Sequence, residues 1–331
     1  MVEAIKSGDK TVYPFIFPIN YGAMTSINYF LYDDGKSLTL IDGGIQSIEN
    51  EKYFFTMLQH HNLSIHDIDQ IYLTHHHEDH IGVVNRVLSD KKVPIYAHHL
   101  ALPRLYFEEQ YLRNKKEFFQ KIYTEYGCIH LAGNRFEKME QTYRNREKLK
   151  LKADIIPLYD GDSIGGMTVI EVPGHSPDSI IFYNDATKWQ FAGDLVLENT
   201  PTNALIDYDE NLNLLPSVLQ YENSLKKSLE LPTTWIFPGH QNPFQNHKVE
   251  IEKKLQRLKR KESRIVETVE KGYQTTLEIA EALYHKRVER EFLFIMSEVI
   301  GYLDYAISKG KLEKTMRNGQ WHFTKIEENE Q

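Results

Sequence analysis

The sequence predicts an α/β fold in which two β-sheets lie face to face between layers of helices, an αββα sandwich, with a helical insertion and a winged-helix C-terminal domain. Three observations predict it. Short runs rich in β-branched and aromatic residues alternate with helical periodicity through the first 246 residues. A charged, aromatic stretch over residues 100–150 interrupts the alternation without any strand pattern. After Asn246 the texture changes to a long charged helix and then a helix–helix–hairpin pattern.

Taken in order, residues 11–19 (TVYPFIFPI), 26–34 (SINYFLYDD) and 37–44 (SLTLIDGG) read as strands, with DDGKS turning the chain between the last two. A helix is expected over residues 47–61, then a strand, IDQIYLTHH, that delivers a polar cluster at its end. A helix over 81–88 and the strand VPIYAHH precede the insertion, whose place near the cluster-bearing edge suggests a lid. Strands resume with ADIIPLY, MTVIEVPGH, SIIFYND and KWQFAGD; a helix over 216–229 leads to TTWIFPGH. We place a domain boundary between residues 246 and 247. Beyond the helix at 247–271, Thr275 and Glu278 have capping-box spacing, a second helix covers 291–308, and a hairpin turns at Asn318-Gly319.

The composition is that of an ordinary globular chain, 41% hydrophobic and 26% charged in 331 residues, with no apolar run able to span a bilayer. The start lacks a signal-peptide pattern, so a cytoplasmic location is expected, with no membrane partner. Cys128 is the only cysteine, which excludes an intrachain disulfide and a thiolate metal cluster. Any metal site must be built from the carboxylates and the 15 His. From Lys248 onward there are 17 Lys+Arg against 15 Asp+Glu, a balance of +2; the totals of 39 and 47 then leave 22 against 32, or −10, for the first 247 residues. That is a poor electrostatic footprint for nucleic acid, although residues 100–150 carry a local +4, from 11 Lys+Arg and 7 Asp+Glu. For the C-terminal domain, packing against the catalytic domain or a second subunit is expected over DNA binding.

The decisive stretch is Thr74-His75-His76-His77-Glu78-Asp79-His80, where a strand ends and a helix begins. His75 and His77 can point the same way in extended chain, while Asp79 and His80 lie on the following turn, so one motif can serve two metals. Imidazole and carboxylate are the ligands expected for zinc when thiolates are missing. His76 and Glu78, interleaved, should point away. His60, His61, His66, His98, His99, His130, His247, His285 and His322 lack the pattern and read as structural or solvated.

These residues resemble the His-x-His-x-Asp-His motif of the metallo-β-lactamase superfamily, and the surroundings of His175 (VPGHS), Asp194 (FAGD) and His240 (FPGH) resemble that family's later ligands. The resemblance covers about the first 245 residues. It implies a metallo-β-lactamase sandwich in which His75, His77 and His175 hold one ion, Asp79, His80 and His240 the other, and Asp194 bridges them, with Asp42 supporting the site from behind or serving only as a turn residue. Zinc is expected first, with manganese or iron as alternatives. Two adjacent divalent ions lower the pKa of a shared water and polarise an electrophile, so the expected chemistry is hydrolysis without a protein nucleophile, with Asp79 and Asp194 as catalytic carboxylates.

The fold does not name the substrate. Leu197 stands where the family's lactonases carry a tyrosine, and LVLENTPTN differs from the loop of type II glyoxalases. The tail and the Gly193–Leu197 context resemble glyoxalase-related β-lactamase-like proteins with a winged-helix tail, some of which cleave single-stranded RNA. A small, anionic ester or thioester is therefore the expected substrate, single-stranded RNA the alternative, and a regulator with purely structural metals the third class.

Overall fold

The computed structural model describes residues 3–22 and 24–327. Its N-terminal part forms a seven-stranded mixed sheet in sequential order. Strands β1 (Ile5–Ser7), β2 (Lys10–Tyr21), β3 (Met24–Asp33) and β4 (Leu38–Ile41) run antiparallel. Helix α1 (Ile48–His60) and helix α2 (Val84–Asp90) then connect the parallel strands β5 (Ile68–Tyr72) and β6 (Ile95–His98). The insertion, α3 (Leu102–Leu105), α4 (Glu109–Glu125) and α5 (Arg135–Leu149), precedes the last parallel strand, β7 (Ile155–Leu158). A second sheet contains β8 (Ser163–Ile164), β9 (Met167–Glu171), β10 (Ile180–Asn184), β11 (Trp189–Gly193) and β12 (Trp235–Pro238), in the order β12-β11-β10-β9-β8. Helix α6 (Ser217–Glu230) is the crossover that makes β12 parallel to β11.

Strand β3 shows why the sheets stack as they do. Its residues 26–32 are all buried, and they alternate: Tyr29 and Leu31 pack under α1 with Phe54 and Met57, whereas Phe30 and Tyr32 face Phe191 and Trp189 of the second sheet. A strand covered on both sides has to be apolar on both sides. The inter-sheet layer is aromatic, with Phe191 and Phe237 stacked at 4.8 Å and Phe30 edge-on to Phe237 at 5.4 Å.

After Asn246 come α7 (His247–Glu270), α8 (Thr276–Tyr284), α9 (Arg287–Arg290), α10 (Phe292–Ser308) and the hairpin β13 (Leu312–Arg317) and β14 (Gln320–Lys325). The apolar faces of α7 and α10 join one hydrophobic cluster with α4, α6 and the outer face of the second sheet. Among the described residues no helix is long and apolar enough to cross a membrane.

The two sheets are tied together at one edge. Asn28 N donates to Gly239 O at 2.7 Å and Ile180 N to Thr74 O at 3.0 Å, while Gly239 N donates to Gly193 O at 2.8 Å within the second sheet. That edge carries every sequence-predicted ligand.

Candidate metal centre

The strand β5 ends at Tyr72, the chain bends at Thr74, and His77, in extended backbone, leads into a single 3-10 turn over Glu78–His80. This change of backbone aims His75 and His77 at one point and Asp79 and His80 at another. His75 Nε2 and His175 Nε2 each lie 3.0 Å from His77 Nδ1. On the other side, His240 Nε2 lies 3.5 Å from Asp79 Oδ2, and His80 Nε2 4.0 Å from Asp79 Oδ1. Asp194 sits between the two groups, 3.4 Å from His175, 3.5 Å from His80 and 3.2 Å from His240.

These separations fit metal ligands. Bonds of ~2.1 Å in a tetrahedron put neighbouring donor atoms ~3.4 Å apart. Two buried atoms, His80 Nε2 and Asp194 Oδ1, face each other at 3.5 Å without forming a hydrogen bond, an arrangement a cation would complete. Gly239 supplies the room: a Cβ there would fall 2.3 Å from Asp194 Oδ1 and 2.6 Å from His80 Cε1. The donor set, nitrogen and carboxylate oxygen in two triads with a shared carboxylate, therefore fits a pair of divalent ions.

Four of the five imidazoles are held from behind. His80 Nδ1 lies 2.8 Å from Asp42 Oδ2, His240 Nδ1 2.8 Å from the Ser26 carbonyl, and His175 Nδ1 2.9 Å from the Asn203 carbonyl. His75 Nδ1 lies 3.1 Å from Thr74 Oγ1, which itself donates to Asp42 at 2.8 Å. Such partners select the tautomer that turns the other nitrogen toward a metal. Burial, reinforced by His80, holds His75 well below the usual imidazole range, and burial with His75 does the same for His77, keeping both neutral as ligation requires. Burial alone would raise Asp194, but His240 and His80 hold it far below the usual carboxylate range.

The structure thus brings His75, His77, Asp79, His80, His175, Asp194 and His240 together. Asp42, expected as a support or as a turn residue, contacts both Thr74 and His80. His76 is turned away from the ligands, but into the protein: its Nδ1 and backbone N meet the fully buried Asp178 at 2.7 and 2.8 Å. Burial raises that carboxyl and His76 and Arg104 outweigh it, leaving Asp178 far below the usual range. Asp178 was missed from sequence, although it lies three residues beyond His175 and is the only other acid near a predicted ligand in that turn. His98 and His99 converge with Glu171, and His98 Nε2 spends itself on Glu171 Oε1 at 2.7 Å.

Residues 23–240 match the sequence profile of the Metallo-beta-lactamase superfamily. The chain belongs to that superfamily. A Bacillus subtilis (strain 168) protein named "Probable metallo-hydrolase YqjP" is 28% identical over 271 residues, 82% of this chain and 84% of its own. A hydroxyacylglutathione hydrolase of Psychromonas ingrahamii is 31% identical over 129 residues, 38% of this chain and 32% of its own. A metallo-beta-lactamase family protein of Thermus thermophilus shares the fold with a TM-score of 0.75 and 19% identity, covering 95% of this chain and 98% of that one. This superfamily member is a metal-dependent hydrolase.

Proposed function

We propose that the chain hydrolyses a small, anionic carboxylic ester or thioester, with His75, His77 and His175 holding one divalent ion, Asp79, His80 and His240 the other, and Asp194 joining them. The carrying observation is the pair of triads with the Asp194 carboxylate between them, where His80 Nε2 and Asp194 Oδ1 face each other at 3.5 Å without a hydrogen bond. When bound, the ions supply a nucleophile from water at neutral pH and polarise the scissile carbonyl. Zinc suits the ligands best, with manganese and iron as alternatives.

The protein's own share is positional. Asp194, its side chain 9% exposed, sets the spacing of the triads. Asp79, at 29%, is the more exposed of the two carboxylates, where it can take a proton from the attacking water and pass it to the leaving alkoxide or thiolate as the acyl bond breaks. The balance of −10 over the first 247 residues disfavours a long polyanion, and the partial similarity to a hydroxyacylglutathione hydrolase favours acyl chemistry.

The part after Asn246 reads as a winged helix used for packing, which keeps the domain boundary there. In support, α7 is followed by an isolated bridge between Thr275 and His322, then α8, α10 and the β13–β14 hairpin, the order of that motif. Its apolar face is spent on the catalytic part. The test is a screen of the metal-loaded protein against thioesters, esters, lactones and single-stranded RNA at two ionic strengths. Turnover of an anionic ester or thioester with little salt effect is expected. Metal-dependent RNA cleavage suppressed by moderate salt, without any acyl turnover, would overturn the reading.

A further inference from the structure

Most cations of the helical insertion are neutralised or solvated. Arg104 forks onto Asp207 at 3.2 Å, Arg113 meets Glu109 at 2.7 Å, and Lys116 meets Glu140 at 3.1 Å. Lys121, Lys138 and Lys148 are exposed to water. Lys115 of α4 and Arg135 at the start of α5 are different. Both are half-buried, and among the described residues neither makes a side-chain hydrogen bond or an ion pair. The direct contacts each cation makes are with rings, and the acid that acts most on Lys115, Asp207, is already held by Arg104. The Arg135 guanidinium lies 4.1 Å from the centre of Phe119 and 5.7 Å from that of Tyr123, and its Nε is cut off from solvent without a partner. The Lys115 ammonium lies 5.6 Å over Tyr111. A cation–π contact offsets little of the cost of desolvating a charge, so each position is short of an anion.

Their place in the fold says which anion. Arg104 and Lys115 both contact the Tyr111 ring, Arg104 at 5.0 Å. The Asp207 that holds Arg104 is four residues from Asn203, whose carbonyl accepts from His175, a reach of at most ~14 Å of chain. Among charges, Lys115 interacts first with that same Asp207, then with Arg135 and Arg104, and last with Glu78 of the metal motif. Tyr111, Lys115 and Phe119 follow one another at successive turns of α4, so Lys115 over Tyr111 and Arg135 over Phe119 lie along one face of that helix, with Lys115 at the end nearer the Arg104–Asp207 pair. A polynucleotide would need a longer track.

We propose that Lys115 and Arg135 form an anion-binding subsite that holds a terminal carboxylate or phosphate of the substrate while its acyl group lies at the metal centre. This rests on the reading of the chain as a hydrolase of small esters or thioesters. Phe119 and Tyr111 give the subsite apolar walls that strengthen the ion pair by excluding water.

The test uses the full-length, metal-loaded protein and two matched thioesters, one ending in a carboxylate and the other in the corresponding neutral amide. Lys115→Met and Arg135→Gln should each lower the anionic-to-neutral ratio of kcat/KM by ~10- to 100-fold, through KM, and Lys115→Arg and Arg135→Lys should restore most of it. Calorimetric titration with glutarate and with inorganic phosphate shows which head group is taken and reads the subsite without turnover. Binding to the wild type that weakens at least ~10-fold in both charge-removing variants supports the subsite, even if no thioester is cleaved, in which case the substrate reading alone fails. An unchanged ratio, anion binding equal in wild type and variants, or no binding of either anion would overturn it. So would variants that leave the ratio intact but weaken RNA cleavage in a steeply salt-dependent way.

Discussion

Asp42 has a backbone φ of 59°, in the left-handed region that few residues other than glycine adopt. The strain is offset locally, since its backbone N donates to the Tyr72 carbonyl at 2.9 Å and its carboxylate meets Thr74 N, Thr74 Oγ1 and His80 Nδ1, each at 2.8 Å. Asp42→Ala should therefore weaken metal binding by ~10- to 100-fold while all seven proposed ligands remain, measured by competition with a chelator. Wild-type affinity would reduce Asp42 to a turn residue. Gly239→Ala tests the space around the ligands. A methyl group 2.3 Å from Asp194 Oδ1 must push the carboxylate aside, so bound metal should fall below the wild-type content with the chain still folded. The ligands were legible in sequence because four of them share one seven-residue stretch and the others end strands. Asp178 was not legible, because its partner His76 lies 102 positions away in the chain. The carbonyls of Ser26 and Asn203 leave no side-chain signal at all.

Helices with local start signals were readable as elements. Ser47 caps α1 through Asn50 N at 3.0 Å, and the Thr275–Glu278 capping box forms as its spacing predicts. The helix expected from residue 81 begins only at Val84, because the metal motif occupies the preceding turn in 3-10 form. Strands β1 and β8, of three and two residues, are too short to show a period. The contact between α6 and α10 was equally invisible. There the buried Glu222 accepts from Tyr305 Oη at 2.9 Å and pairs with Lys309 at 2.9 Å and Lys226 at 2.7 Å. Burial would raise its pKa, but Lys226, Lys309 and Tyr305 bring it down to about 2 from 4.5. A depressed carboxylate stabilises the fold fully above its unfolded value and loses that contribution as pH falls from 4.5 toward about 2. Glu222→Gln should cost on the order of 1–3 kcal/mol in urea unfolding at pH 7. Its stability should also fall less steeply than the wild type's below about pH 4.5; parallel pH profiles would contradict the assignment.

At the scale of the whole molecule, the sandwich was legible because both faces of its central strands alternate into cores. The continuity of the cluster that joins α4, α6, α7 and α10 was not, since α6 and α10 lie far apart in the chain: Gly301 packs on Val218, and Ser297 Oγ accepts from Ile206 N at 2.8 Å. Through that core the chain after Asn246 steadies the loop carrying Asn203 and Asp207, and with it His175 and Arg104. Everything in this organisation converges on two triads with a shared carboxylate. The most direct test is the metal content of the full-length protein, loaded with zinc, freed of excess by gel filtration and measured by elemental analysis. Two ions per chain are expected, and fewer in Asp194→Ala. At most one ion per chain, with manganese and iron doing no better, would contradict the binuclear centre.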